Sequence, residues 1–176
     1  MTTYVALLRG INVGGRTLKM DALRTIAAGC GCAGVQTYIQ SGNVVFTSRK
    51  GAARVGTELH DAILDGTGID TTVVVRTAAQ LQGVLDANPW PDRVTDPTKV
   101  SVGFLYDTSR PTLDAVDPAT YAPDEVVVVG IDAYLSTPNG MGKSKLVEPM
   151  MKRLGIQGTV RNWRTVMTLA EMATAV

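Results

Sequence analysis

Four stretches of the chain carry residues that could hold a ligand. The first is Tyr4–Gly15, YVALLRGINVGG, an apolar run that ends at Arg9 and gives way to a loop containing Gly10, Asn12, Gly14 and Gly15. A guanidinium there can grip a carboxylate or phosphate with two parallel bonds, and the glycines let backbone N–H groups approach a ligand closely. The same residues would also serve a tight connection whose arginine makes a structural ion pair. The second stretch is Gln40-Ser41-Gly42-Asn43, between two apolar runs. Its polar side chains can reach a ligand or simply satisfy a turn. The third is Thr137–Lys145, TPNGMGKSK, where Gly142-Lys143-Ser144 echoes the end of a phosphate-binding loop. The full pattern needs a glycine where Thr137 stands, which leaves a looser anion site with Lys143 as a point charge. The fourth is Arg161-Asn162-Trp163-Arg164-Thr165, at the start of the last predicted helix. Unpaired N–H groups and the positive helix end attract anions there; equally, Asn162 can cap the helix while Trp163 enters the core.

These stretches contain almost no carboxylate, so neither a paired-carboxylate hydrolase nor a magnesium cage is indicated. His60 is the only histidine, and any Ser-His-Asp arrangement would have to be built on it. Its place beside Asp61 on the polar side of a predicted helix reads as a solvated surface residue. Cys30 and Cys32 are too close in sequence to favour a mutual disulfide and match no standard zinc pattern. They read as small side chains at a helix end in a reducing cytoplasm. No catalytic residue, metal ligand or cofactor is assigned.

Charge is unevenly spread over a chain of net +1: residues 1–57 hold seven bases and one acid (+6), 58–132 hold 13 acids and four bases (−9), and 133–176 hold six bases and two acids (+4). If the two ends meet in space they form a basic face that concentrates anions; otherwise the exposed helices merely differ in sign. Hydrophobic residues at 45% and charged residues at 19% describe an ordinary globular chain. No apolar run approaches the ~20 residues that span a bilayer, and no cationic leader precedes the first one, so neither a membrane partner nor a signal peptide is expected.

The elements that must position these residues follow from periodicity and punctuation. Residues 4–9 read as a strand and 18–30 as a helix with Met20, Leu23, Ile26, Ala27 and Cys30 on one face. A tight hairpin is expected from VQTYIQ and NVVFTS around Ser41-Gly42, then a helix at 52–65 and a strand at 71–76. Thr77 and Gln80 have the spacing of a capping box and open a further helix. Asn88-Pro89-Trp90-Pro91 ends it, and 88–98 is the candidate linker, with Trp90 as an anchor. Strands are expected near 99–106, 125–130, 133–137 and 158–161. Helices are expected at 111–117, within 144–154 with Pro149 in the first turn, and from Asn162 onward. The fold class is therefore α+β, with two ferredoxin-like β-α-β-β-α-β units, readable as a duplication, and an added C-terminal helix. The domains are 1–87, with a linker at 88–98, and 99–176.

YVALLRGINVGG, KMDALR, YIQSGNVVF and TVRNWRTV resemble the signature segments of a bacterial family catalogued as domain of unknown function 1697. The resemblance covers nearly the whole chain and implies a cytoplasmic α+β protein built from ferredoxin-like units. It supplies no catalytic residue. The late segment commonly reads RNWNT in that family, whereas Arg164 stands here at the second Asn position, so no contact of that Asn carries over.

The leading expectation is a cytoplasmic protein that binds a small anionic ligand, a nucleotide or phosphorylated metabolite, on a basic face. The residues are Arg9, Asn12, Gly14, Gln40, Ser41, Asn43, Lys143, Arg161, Asn162 and Trp163, with Arg9 and Asn12 in one cleft with Lys143 or the Arg161–Trp163 helix start. One alternative is an RNA- or DNA-associated protein, which 5% aromatic residues and a hairpin strand without the usual base-stacking aromatics disfavour. Another is an interaction module, including a homo-oligomer formed through sheet edges.

Overall fold

The computed structural model describes residues 1–106, 117–153 and 158–176. The opening apolar run forms β1 (Thr2–Leu8), followed by α1 (Met20–Gly29), β2 (Ala33–Tyr38), β3 (Asn43–Ser48), α2 (Ala52–Thr67) and β4 (Val73–Thr77). Glycines turn the chain after the first two helices. Gly31, at φ +80°, turns the chain after α1, while the Gly68 N–H donates to the Leu64 carbonyl from a left-handed position after α2.

The first sheet has the order β2-β3-β1-β4, with every neighbouring pair antiparallel. That is the order of a split β-α-β-β-α-β unit, in which each helical crossover passes over a neighbouring strand. Side chains alternate across β1. Tyr4, Ala6 and Leu8 join Phe46, Leu23, Leu59 and Ile63 in the core under the helices. Val5 and Leu7 point the other way and are also buried. The unbroken apolar run thus gives a central strand covered on both faces. The expected hairpin differs in one respect. Strand pairing ends at Tyr38↔Asn43, so Ile39-Gln40-Ser41-Gly42 form a four-residue turn and the strand VQTYIQ stops two residues early. Ile39 has left the extended region, with φ +48°.

Helix α3 (Ala78–Asp86) opens with the predicted capping box: Thr77 N–H donates to Gln80 Oε1 at 2.9 Å, and Gln80 N–H donates to Thr77 Oγ1 at 3.1 Å. Past it, Arg93 lies 5.3 Å from the ring centre of the half-buried Trp90. The second sheet contains β5 (Val100–Leu105), β6 (Glu125–Val129), β7 (Asp132–Ser136) and β8 (Gly158–Asn162), in the order β6-β7-β5-β8, again antiparallel. The helix expected at 111–117 falls largely outside the described residues. Between β7 and β8 lies α4 (Val147–Arg153), with Pro149 in its first turn as its missing N–H requires. The last helix, α5 (Trp163–Thr174), buries Trp163, Val166, Leu169, Ala170 and Ala173.

The chain divides into two compact units, Met1–Gly83 with Thr168–Val176, and Val84–Met167. Among the described residues no helix is long and apolar enough to cross a membrane.

Candidate functional site

Six of the residues singled out in the sequence gather at one end of the first sheet. Arg9 follows β1 directly, its N–H donating to the Thr72 carbonyl and its own carbonyl accepting from Thr71 Oγ1. The Leu8 N–H donates to the Gly42 carbonyl, which ties the hairpin turn to the end of β1. The Arg9 side chain is exposed and makes no hydrogen bond or ion pair within the described residues. It is not the buried structural ion pair that the same residues could have served.

Asn12 is the clamp of the glycine loop. Its Nδ2 donates to the carbonyls of Leu18 at 3.1 Å and Gln40 at 2.5 Å, and its Oδ1 accepts from the Leu18 N–H at 2.8 Å. It does so from φ +54°, which asparagine tolerates better than most residues. Ile11 and Leu18 are buried and anchor the two ends of the loop, while Val13, Gly14 and Gly15 are exposed between them. The Asn43 amide is likewise employed in the turn, donating to the Tyr38 carbonyl and to Ser41 Oγ.

Beside this turn is a cavity of about 490 Å³ lined by Lys19, Met20, Asp21, Arg24, Thr37, Ile39 and Gln40. It forms because α1 packs beside β2, the edge strand of its sheet, and the turn closes one end. Arg24 crosses from helix to strand, donating to Thr37 Oγ1 and pairing with Asp21. Lys19 stands at the helix start, exposed, with no side-chain partner within the described residues, and no side chain caps the helix. Residues 9–24 carry four bases (Arg9, Arg16, Lys19, Arg24) and one acid (Asp21), a net +3. Of the predicted residues only Gln40 lines this cavity. Lys19, Arg24, Thr37 and Ile39 were not singled out, because nothing in their spacing reveals that a helix and an edge strand enclose a space between them.

The remaining predicted residues belong to the second unit. Lys143 ends a short 3-10 turn, Met141–Lys143, and is exposed. Helix α4 starts only at Val147, and β7 sits in an antiparallel sheet, so Gly142-Lys143-Ser144 does not open a helix after a parallel strand as a phosphate-binding loop does. Arg161 lies in β8, where the strand expected at 158–161 has it, two residues before Trp163 opens α5. It is 7% exposed and donates to Thr159 Oγ1 and the Val160 carbonyl, and burial holds its guanidinium down to about 10. Asn162 caps α5, its Oδ1 accepting from the Thr165 N–H at 2.9 Å, and Trp163 enters the core.

His60 is half-buried rather than solvated, with Nδ1 at 2.8 Å from the Thr71 carbonyl oxygen. Among the described residues no group of three or more metal-ligating side chains comes together. Cys30 and Cys32 are free thiols; burial pushes both up, Cys32 to about 11, so neither is an activated nucleophile.

The model of one protein family matches residues 1–134 of the chain. The chain belongs to that family, described as protein of unknown function DUF1697. A conserved bacterial protein from Streptococcus pneumoniae has a similar solved structure, with a TM-score of 0.79 over 99% of both chains at 22% identity. That likeness concerns the fold alone. A comparison with curated proteins finds no match. In this DUF1697 chain the cavity lies between two of the segments that carry the family resemblance, KMDALR on α1 and YIQSGNVVF on the hairpin. That coincidence is the sequence signal that could have led to Lys19, Arg24 and Ile39.

Proposed function

We propose that the first unit binds a small anionic ligand, a nucleotide or phosphorylated metabolite, in the groove between α1 and the β2–β3 turn. The observation that carries this reading is a cavity of about 490 Å³ whose lining includes two bases, Lys19 and Arg24, and one acid, Asp21. Its volume falls in the roughly 300–1,000 Å³ range of small-molecule sites. Arg24 is held by Thr37 and paired with Asp21, which also lines the cavity, so an incoming anion shares Arg24 with that carboxylate. Lys19 is uncommitted and supplies the mobile charge. Arg9, uncommitted at the same end of the sheet, adds to the attracting field. Asn12 and Asn43 serve by fixing the loop and the turn.

The test is a thermal-shift panel of nucleotides, sugar phosphates and carboxylates. A ligand at 100 times its dissociation constant stabilises by about 2.7 kcal/mol, a melting shift of several degrees at this chain length. Lys19→Ala, which removes no internal bond, should reduce the shift sharply and leave the unliganded melting temperature unchanged. Arg9→Ala should weaken it. A shift of equal size in wild type and Lys19→Ala defeats the reading. Salt-dependent binding of generic oligonucleotides with no small-molecule response would transfer the charge to a nucleic-acid role.

A further inference from the structure

The cavity wall contains a half-exposed apolar side chain in an unfavourable backbone conformation. Ile39 is 50% exposed and stands at φ +48°, a conformation that branching at Cβ strongly disfavours. Elsewhere at this end of the sheet the left-handed positions go to residues that tolerate them: Gly10, Asn12, Gly14 and Gly42. An isoleucine in that conformation is normally repaid by burial, and here half of it is in water. Met20 is also in the cavity lining but packed into the core. Beside Ile39, the Gln40 side-chain amide has no hydrogen-bond partner within the described residues and offers two donors and an acceptor.

We infer that the occupant of this groove is a mononucleotide: an anionic group on Lys19 and Arg24, a flat base against Ile39, and the base edge within reach of the Gln40 amide. This rests on the anionic-ligand reading above and narrows it. A bare phosphate uses only the cations and leaves most of the cavity to water. A sugar phosphate has no flat apolar face to cover Ile39.

The experiment is isothermal titration of 5′-mononucleotides, ribose 5-phosphate and inorganic phosphate into wild type, Ile39→Gly and Lys19→Ala at fixed ionic strength. Wild type should bind at least one mononucleotide ten times or more tighter than ribose 5-phosphate, the order of effect expected from covering one large aliphatic side chain. Ile39→Gly suits the left-handed backbone, so it should fold with no loss of melting temperature. It should also lose about tenfold in nucleotide affinity while ribose 5-phosphate binds as before. Lys19→Ala should weaken both. Equal affinities of wild type for the nucleotides and ribose 5-phosphate, or equal loss of both in Ile39→Gly, overturn the nucleotide assignment while the anion site stands. No binding of any phosphate compound overturns both.

Discussion

At the scale of single residues, the first-unit loop and turn are held by two positions whose replacements should cost different amounts for different reasons. Asn12 makes three hydrogen bonds to backbone groups of Leu18 and Gln40. Asn12→Ala leaves the Leu18 N–H without its acceptor and puts alanine at positive φ, a loss of about 2–3 kcal/mol. Gly42 has φ +76°, and a Cβ there would sit 2.5 Å from Ile11 Cδ1 and 2.8 Å from Leu8 Cβ. Gly42→Ala therefore adds a clash in the core to the same backbone strain, and should cost more than Gly14→Ala. At Gly14, φ is also positive but a Cβ meets nothing within 4 Å, so only the backbone cost of about 1–2 kcal/mol applies. Urea titrations of the three variants check the order, and equal losses at Gly42 and Gly14 would remove the packing argument. Asn12 and the glycines were visible in the sequence as unusual residues. What was not visible was whether Asn12 faces a ligand or its own loop, because that depends on where the hairpin turn arrives, 28 positions along the chain.

At the scale of elements, the strands and helices were legible wherever periodicity and caps agree. Thr77 with Gln80, Asn162 before Trp163, Gly68 after α2 and Pro149 in the first turn of α4 all act as their residue types dictate. The two capped helices also share their approach. Each follows a last strand whose arginine is buried, Arg76 at 6% and Arg161 at 7%, and donates to the carbonyl of the preceding valine. In each unit that arginine stands opposite a valine of the central strand, Val5 or Val102. Thr77→Ala and Asn162→Ala should each cost about 1 kcal/mol, the usual loss of a side-chain cap, read as a lowered denaturant midpoint at unchanged slope. A neutral result at either site would mean that packing alone holds that helix start. The cavity itself was illegible at this scale. It belongs to neither α1 nor β2 but to the space between them, and β propensity places Ile39 in a strand that the structure ends at Tyr38.

At the scale of the whole molecule, the two units offer separate readouts, and the alkaline limb of stability is where they should differ. Both tryptophans, Trp90 and Trp163, lie in Val84–Met167, so indole fluorescence follows the second unit alone. That unit contains Tyr134, whose hydroxyl is buried, donates to the Val84 carbonyl at 2.7 Å and is pushed up from 10.0 to about 12, by burial first and Asp132 second. A phenol with a raised folded value loses its proton first in the unfolded chain. Between pH 10 and about 12 the folded state therefore binds more protons, and stability falls as pH rises. Arg161 works the other way, since burial lowers it to about 10 and the unfolded chain then holds the extra proton. Tyr134→Phe separates the two. It loses the hydrogen bond to Val84, about 1 kcal/mol at neutral pH, but removes the falling contribution and leaves Arg161 in place. The fluorescence-detected midpoint of Tyr134→Phe should start below wild type at pH 8 and converge on it as pH rises above 10. In the first unit, Cys32 is raised from 9.0 to about 11 by burial, and by the same sign its contribution falls between those values. Cys32→Ala should flatten that earlier fall when unfolding is followed by backbone hydrogen exchange in residues 1–83. It should leave the fluorescence curve unmoved if the units unfold independently. A constant gap between wild type and Tyr134→Phe from pH 8 to 12 would show that the phenol titrates alike in folded and unfolded chains, and that its burial carries no pH dependence.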